Sequence, residues 1–443
     1  MTGCSIMTHC LHFCLCFSWL ILSFIFGQPV RAQFLSGPDY YSESYFRFED
    51  YVYQPFIRTV QLYRAGFELS PALIRLNSGE KLTCTFDDLE GDVKDYRYTV
   101  IHCGANWQAS NLVYTQYISG YEENPVTDFH SSYNTVQPYT NYRFILPSGD
   151  MEFLISGNYL LKVFLAGSSE PVFTRRFMVM DPKVGIEARI RRPVIVEDRD
   201  TRQKIDFSIL AERISIEDPY RSLHVILMQN NRWDNAIRDL KPRMVIDGKL
   251  DYNYEGENVF DGGNEYRDFD IKSLTYRSPR IRSITFANDT HRIVLWEDEP
   301  RVHRVYHTET DINGRVYIGC EDARDVDTEC DYVKVSFFLH YPSPLENGSL
   351  YVFGSLTSNQ FTKDGLLVYD PVKKGYRTEM YLKQGFYNYQ YLFLENKSFL
   401  GDATFVEGNH FETMNEYVIL VYYRQPGSLY DELIGVTILN SPF

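Results

Sequence analysis

The sequence predicts an all-β protein made of tandem β-sandwich (immunoglobulin-like) domains. Runs of β-branched and aromatic residues recur along the chain, such as residues 379–394 and the nearly continuous apolar run 417–424. Turn signals containing Gly, Pro, Asn and Ser separate these runs at short intervals. Regular short strands with such turns are typical of β-sandwiches. Helical periodicity is scarce, and the segment around residues 234–240 is the best candidate for a helix.

The N-terminal segment has the features of a secretory signal peptide, expected to cover residues 1–32. An apolar run at 11–27 precedes Val-Arg-Ala at 30–32, a small-x-small pattern before Gln33. The stretch before the run lacks Lys and Arg, and a membrane anchor is the alternative, although the run is short for spanning a bilayer. We expect an exported, soluble protein whose mature chain starts near Gln33.

The mature chain is expected to contain three domains, because 443 residues exceed what one core holds. The first, residues 33–184, ends with the strand-like run PVFTRRFMVMD. The middle β domain covers residues 185–324, and a C-terminal immunoglobulin-like sandwich covers residues 325–443, which open with an acidic segment. Residues 40–56 are dense in Tyr, Phe and acidic side chains, and we expect this arm to be extended and docked without a strand partner of its own.

Four cysteines remain once the signal peptide is removed: Cys84, Cys103, Cys320 and Cys330. An oxidising compartment favours disulfides, although sequence alone leaves the connectivity open. The spacing favours Cys84–Cys103 and Cys320–Cys330, each pair lying on neighbouring strand-like runs. A free thiol buried as a small apolar group is the alternative for Cys103.

The stretch YTVIHCGANWQAS at 98–110 concentrates reactive residue types, with His102, Cys103 and Trp107 close together. In a strand, adjacent side chains point to opposite faces, so His102 and Cys103 cannot easily share a metal ion. We therefore interpret both as structural residues, with one facing the core and the other facing solvent or a loop. Trp107 is expected to cover the edge of the core.

Acidic residues are abundant without forming a recognisable site. Asp325-Val-Asp-Thr-Glu-Cys-Asp331 begins like a calcium loop, but Cys330 and Ser336 occupy the positions that need Gly and Glu. A solvated turn is favoured, with weak calcium binding as the alternative. The net charge of −15 without a basic stripe argues against a nucleic-acid partner. Motifs for phosphate binding or nucleophilic catalysis are missing from the sequence, which favours binding over catalysis.

Several long segments match one family. They are HCGANW at 102–107, SGNYLLKVF at 156–164, PVFTRRFMV at 171–179, QNNRWDNAI at 229–237, ENVFDGGNEYRDFDIKSLTY at 257–276 and GNHFETMNEYVILVYYR at 408–424. Together they resemble the plug proteins of the type IX secretion system of Bacteroidetes. The resemblance implies a non-enzymatic protein of the periplasm, associated with the outer membrane, with no cofactor and no small-molecule substrate. It also implies a partner, the outer-membrane translocon β-barrel, whose periplasmic opening the protein seals.

Partner-binding residues are not implied by the resemblance and are inferred from side-chain type. The turn Gly262-Gly263 is expected to present the side chains Phe260, Asn264, Tyr266 and Arg267. A second candidate is QNNRWD at 229–234, with Arg232 and Trp233 as anchors, because Tyr, Trp and Arg dominate binding hot spots. The aromatic arm is a third candidate. The alternative is that these residues pack within the protein.

The third domain also resembles the immunoglobulin-like carbohydrate-binding modules of glycogen-active enzymes, through LYVFGSLTSNQ at 350–360 and QGFYNYQYLF at 384–393. Those modules stack sugars on exposed tryptophans. The turn at 357–360 offers no tryptophan, which counts against glycan binding. A periplasmic or surface polysaccharide-binding protein remains the alternative function, and a glycosidase with a carboxylate pair is a third hypothesis.

Overall fold

Strands dominate the computed structural model, which describes residues 45–441. The chain is 45% strand and 5% helix, which confirms the all-β prediction of tandem sandwiches. The segment predicted as a helix at 234–240 instead holds a short strand, so that prediction was wrong. Of the helices that the structure describes, none combines the length and apolar composition that a membrane span requires. The expected signal peptide lies outside the described residues.

The bounds of the elements are as follows. The strands up to residue 180 are β1 (Tyr51–Val52), β2 (Ile57–Arg64), β3 (Leu73–Arg75), β4 (Leu82–Asp88), β5 (Tyr96–Cys103), β6 (Ile118–Gly120), β7 (Asn124–Pro125), β8 (Asp128–Ser131), β9 (Thr140–Leu146), β10 (Met151–Phe153), β11 (Gly157–Leu165) and β12 (Pro171–Met180). The strands from there to residue 318 are β13 (Gly185–Arg191), β14 (Arg202–Leu210), β15 (Leu223–Gln229), β16 (Ile237–Arg238), β17 (Met244–Ile246), β18 (Lys249–Asp251), β19 (Val259–Asp261), β20 (Arg267–Asp270), β21 (Ile281–Phe286), β22 (His291–Leu295) and β23 (Val316–Ile318). The last strands are β24 (Tyr332–His340), β25 (Gly348–Phe353), β26 (Val368–Asp370), β27 (Gly375–Lys383), β28 (Gly385–Glu395), β29 (Gly401–Asp402), β30 (Glu416–Tyr423) and β31 (Glu432–Asn440). The short α-helices are α1 (Pro219–Ser222), α2 (Val326–Glu329) and α3 (Thr404–Glu407), and single 3-10 turns cover Tyr114–Gln116, Val196–Asp198 and Ser355–Thr357.

The first sandwich packs two antiparallel sheets face to face. One sheet has the order β1-β12-β11-β5-β7, with β3 added in parallel to β12, and the other has the order β2-β4-β9-β8. Side chains alternate in burial along β5, because successive residues of a strand point to opposite faces. The inward-facing rings fill the core, and Phe86 stacks on Tyr142 with the ring centroids 5.0 Å apart.

The second sandwich is completed by the end of the chain. Its outer sheet has the order β13-β14-β18-β17, with β19 on β14, and its inner sheet has the order β16-β15-β30-β31. Strand β15 pairs with β30 over its whole length, from Leu223 opposite Tyr423 to Gln229 opposite Tyr417. The chain therefore leaves this sandwich after β19 and returns to it at β30.

The third sandwich is built from the strands between those two points. One sheet is centred on β28, which pairs with β20, β23, β25 and β29, and the facing sheet has the order β21-β22-β24-β27-β26. The predicted boundary at 324/325 therefore separates strands that share a sheet, since β20 to β23 lie before it and β30 and β31 belong with β15. Periodicity identifies a strand but not its partner, which is why the pattern alone misplaced these strands.

The inner sheet of the second sandwich is buried on both faces. Leu420 and Tyr422 on β30 point away from their own sandwich and pack with Trp107, Leu160 and other residues of the first sandwich in one apolar cluster. A strand covered on both faces reads as a continuous apolar run, as the segment 417–424 does. The first two sandwiches consequently share a core and are not separate domains joined only by a linker.

The described part of the aromatic arm is docked on the first sandwich. Phe46 and Phe48 pack against the cluster shared by the two sandwiches. Tyr51 and Val52 pair with strand β12, so the expectation that the arm has no strand partner was wrong for these residues. The backbone N–H of Arg176 donates to Asp50 Oδ1 at 2.6 Å, which fixes the arm further. Residues 40–44 lie outside the described part of the chain.

Truncation of Leu420 tests the shared core. Leu420→Ala removes a fully buried side chain between two sandwiches, so we expect the free energy of unfolding to fall by about 2–5 kcal/mol. Leu429→Ala, at a residue that is 60% exposed, is the matched control and should cost less than about 0.5 kcal/mol. Urea titration followed by tyrosine fluorescence measures both. Equal small losses in the two variants would contradict a shared core.

Candidate functional site

The residues predicted to face a partner near Gly262-Gly263 are largely inside the protein. Phe260, Tyr266 and Arg267 are 4%, 3% and 8% exposed, and Asn264 is half-buried. The expectation of a presented turn is therefore corrected. This segment is the passage from the second to the third sandwich, and the returning chain covers it.

The two passages are hydrogen-bonded to each other in a region that we call the junction, residues 262–267 and 407–415. The carbonyl of Gly263 accepts from the backbone N–H of His410 at 2.9 Å and from Thr413 Oγ1 at 3.0 Å. The side chain of Asn264 donates to the carbonyl of Glu407 at 2.8 Å. A Cβ atom on Gly262 would lie 2.0 Å from the carbonyl oxygen of His410, so the close approach of the two passages requires glycine there.

A buried ionic network lies at the centre of the junction. Arg267 pairs with Glu407 at 2.9 Å and with Asp298 at 2.7 Å, and all three side chains are almost fully buried. Arg301 and Arg280 add a second contact to Glu407 and to Asp298, respectively. Burial alone would raise the pKa of Glu407, but the two guanidinium groups of Arg267 and Arg301 outweigh it and hold this pKa below its ordinary value. Because these side chains are removed from water, their charges are balanced by one another and not by solvent.

The second predicted pair, Arg232 and Trp233, also connects sandwiches. Arg232 is 5% exposed, and its guanidinium binds both carboxylate oxygens of Asp234 and the carbonyl of Gly401 on β29. Trp233 is half-buried and meets Trp107 edge-to-face with the ring centroids 5.3 Å apart. Arg232 therefore ties the second sandwich to the third, and Trp233 ties it to the first, which corrects the expectation of two open anchors.

His102 and Cys103 do point to opposite faces, and both faces are covered. His102 faces Ser110 with a ring nitrogen 3.0 Å from the hydroxyl, and burial lowers the pKa of His102 to about 4, so the ring is neutral at pH 7. Cys103 is a free thiol fully buried in the cluster shared with the second sandwich, which agrees with the buried-thiol alternative, and neither His102 nor Cys103 is exposed to solvent. Trp107 lies in the same cluster. The burial of these side chains agrees with the structural role predicted for this stretch.

Cys84 and Cys103 lie in different cores and remain thiols, which contradicts the predicted bridge between them. Cys84 faces the interior of the first sandwich, whereas Cys103 lies on the opposite face of the other sheet. Burial raises the pKa of each thiol to about 12. In contrast, Cys320 and Cys330 bring their sulfur atoms within 2.8 Å, also as thiols.

The two acidic clusters that resemble metal sites are engaged by cations and amides of the chain itself. In residues 45–441, the group able to hold a metal ion by distance is Asp88, Glu90 and Asp92, and the ammonium of Lys94 already contacts all three at 2.5–3.0 Å. Asp331 of the calcium-like segment accepts from the backbone N–H of Val136 at 2.8 Å. The end of the acidic segment therefore docks on the first sandwich, whereas Asp325 is exposed as expected for a solvated turn.

A buried polar cluster connects the third sandwich to the first. Lys383 Nζ lies 2.8 Å from Asp87 Oδ2, and the hydroxyl of Tyr332 donates to the same oxygen at 2.7 Å. Tyr139 donates from its hydroxyl to the carbonyl of Cys330 at 2.9 Å. Because Lys383 and Asp87 are 2% and 1% exposed at the side chain, breaking this pair would leave a buried charge without a partner.

One end of the first sandwich, in contrast, exposes apolar and aromatic side chains. Val113, Tyr121 and Leu154 are 63%, 69% and 48% exposed. They are joined by the 3-10 turn at 114–116, since Tyr114 donates from its hydroxyl to the carbonyl of Tyr121, and the N–H of Leu154 donates to Tyr117. We call this surface the aromatic end. This surface was not predicted from the sequence, where its only local signal is the three Tyr residues in LVYTQYISGY at 112–121.

Neutralising Glu407 tests the junction. We expect Glu407→Gln to lower the free energy of unfolding by roughly 3–5 kcal/mol at pH 7, because buried guanidinium groups lose their counter-charge. The pKa of Glu407 is lowered from 4.5 by folding, so its contribution is present above that pH and is lost as the pH falls through the folded-state pKa. Urea titrations at pH 7 and pH 3.5 should show the gap between the two proteins shrinking in acid.

The matched control for this prediction is Glu299→Gln, which removes an exposed ion pair with Arg304 and should cost less than about 1 kcal/mol at either pH. A loss for Glu407→Gln no larger than for this control would show that the network does not hold the junction.

Comparison with known proteins identifies the family. A family model described as the first domain of the type 9 secretion system plug protein matches residues 57–181, which form most of the first sandwich. No curated protein matches the chain. The crystal structure of a hypothetical protein from Parabacteroides merdae ATCC 43184 is 35% identical, covers 90% of this chain and 100% of that chain, and superposes with a TM-score of 0.87.

Two other solved structures are only remotely similar. The polymeric Ig receptor ectodomain of a teleost fish is 12% identical over 43% of this chain and 74% of that chain, with a TM-score of 0.14. The C-terminal domain of a Streptococcus pyogenes antigen I/II-family protein is 6% identical over 87% of this chain and 100% of that chain, with a TM-score of 0.15. With a plug-domain match in its first sandwich and the fold expected of it, the chain belongs to the family of type 9 secretion system plug proteins.

Proposed function

We propose that this protein is a non-enzymatic plug that binds the outer-membrane translocon barrel of the secretion system and seals its periplasmic opening. The observation that carries the proposal is the match of the first sandwich to the plug domain of the family. Family membership implies a periplasmic, envelope-associated role. An N-terminal signal peptide would deliver the chain there, and the partner would be the barrel, with no cofactor involved.

A plug needs stiffness, and the contacts between the sandwiches support this requirement. An object that blocks a pore must keep its shape when ions and water push against it, so movement between its domains would open a leak. The first two sandwiches share an apolar core, and the third is held by the junction and by the Lys383–Asp87 pair. Close-packed interiors have low compressibility, so these contacts favour one rigid body.

The aromatic end is the surface that we propose for the barrel. It lies within the residues matched by the plug-domain model and exposes Tyr121 and Val113, whose side chains have few partners in the chain. Tyr is enriched at binding hot spots because it combines a large apolar body with a polar tip. The originally predicted anchors serve the interior instead, since their burial leaves them no area to offer.

The polysaccharide-binding alternative finds less support. In the related modules, sugars stack on aromatic residues of an exposed turn, whereas here the corresponding turn contacts the first sandwich. Ser358 Oγ accepts from Arg175 of that sandwich at 3.2 Å, and Thr357 is 5% exposed. The turn is therefore partly covered by the first sandwich, which leaves less of it open to a glycan.

Conductance of the purified barrel in a planar bilayer tests the proposal. We expect the wild-type protein, added to the periplasmic side, to reduce the ionic conductance of an open barrel to near that of the bare membrane. Tyr121→Glu places a charge on the aromatic end and should weaken the block about tenfold or more, because a hot-spot aromatic contributes roughly 2 kcal/mol or more.

The matched control is Tyr220→Glu, which changes an exposed tyrosine of the second sandwich and should leave the block unchanged. A barrel whose conductance is unaffected by the wild-type protein would contradict the sealing function. Equal weakening by both variants would contradict the choice of surface only.

A further inference from the structure

Two cysteines meet at the point where the third sandwich docks on the first. Cys320 follows strand β23 and is partly exposed, whereas Cys330 follows helix α2 and is fully buried. Their sulfur atoms are 2.8 Å apart. A disulfide has an S–S distance of about 2.05 Å, so a movement of less than about 1 Å would join them.

The segment that contains both cysteines, residues 320–331, makes several of the contacts with the first sandwich, and we call it the docking loop. Its Thr328 carbonyl accepts from the backbone N–H of Tyr133 at 2.9 Å, and the Cys330 carbonyl accepts from Tyr139 at 2.9 Å. Asp331 receives the N–H of Val136 at 2.8 Å. The conformation of this loop therefore contributes, beside the Lys383–Asp87 pair, to how the third sandwich meets the first.

We propose that Cys320 and Cys330 form a disulfide in the exported protein and that this bond locks the docking loop onto the first sandwich. Disulfides persist in oxidising compartments, so the inference rests on the exported location in the proposed function, not on binding to the barrel. The bond closes a short loop and restricts the conformations available to it when it is undocked. Cys84 and Cys103 stay thiols because each is buried in an apolar cluster that contains no second cysteine among the described residues.

The order of events follows from the environment of the two sulfurs. The Cys330 thiol donates to Cys320 Sγ, and this hydrogen bond lowers the pKa of Cys320 below its ordinary value. The partly exposed Cys320 is thus the thiolate that attacks one sulfur of an oxidant of the disulfide class, releasing that oxidant's first thiol. Cys330 then attacks Cys320 Sγ, passes its proton to the second leaving thiolate and completes the bond. Two protein thiols lose two protons and two electrons, and the oxidant's disulfide becomes two thiols.

A tryptic map of the full chain tests the bond, because Arg324 lies between the two cysteines. The purified protein is incubated with oxidised glutathione, denatured, alkylated without reductant and digested. We expect peptides 316–324 and 325–334 joined as one species, and separate alkylated peptides after reduction. The Cys84 peptide, residues 82–94, is the internal control and should be alkylated in both samples. Alkylation of both loop cysteines in the oxidised sample would overturn the proposal.

Hydrogen exchange tests the locking. Amides of residues 321–331 should exchange about tenfold more slowly in the oxidised than in the reduced protein, since local opening loses a closed-loop constraint on reduction. Cys320→Ser should behave like the reduced protein with or without glutathione. Equal exchange in the two redox states would overturn the locking role. Both assays use the plug protein alone, so their failure is distinguishable from a failure to seal the barrel.

Discussion

The pairing of Arg267 with Glu407 and Asp298 is the constraint on which the arrangement of the protein depends. The chain leaves the second sandwich once and returns to it once, and this network lies where the two passages meet. Charges removed from water are tolerated only while their partners stay in place. Any separation of the third sandwich would therefore expose or unpair them. The junction converts what could have been a hinge between domains into a fixed connection.

Two further contacts restrict movement of the sandwiches relative to one another. The doubly buried sheet fuses the first and second sandwiches through apolar packing, and the Lys383–Asp87 pair joins the first and third through charge. Each sandwich thus contacts both others, and a triangle of contacts resists bending in a way that a linear chain of domains cannot. This is the property that a seal requires, and it links the packing of the chain to the proposed function.

The sequence predicted the strands well because alternation and apolar runs are local signals. The opposite orientation of His102 and Cys103 and the burial of residues 417–423 both follow from such patterns. The junction could not be predicted in this way. Arg267 and Glu407 are 140 residues apart, and Lys383 and Asp87 are 296 residues apart, so no window of sequence contains both partners. Side-chain type suggested that Arg267 and Tyr266 were special, but the same types serve interfaces within a chain as well as between chains.

Rigidity of the three-sandwich body is the central claim, and the distance between spin labels measures it directly. Labels at Val93 in the first sandwich, outside the aromatic end, and Val372 in the third occupy exposed positions that are 56% and 89% accessible. Double electron–electron resonance on the free protein should give a single narrow distance distribution, unchanged when the barrel is added. A broad or bimodal distribution, or a new distance on binding, would contradict a plug that acts as one rigid body.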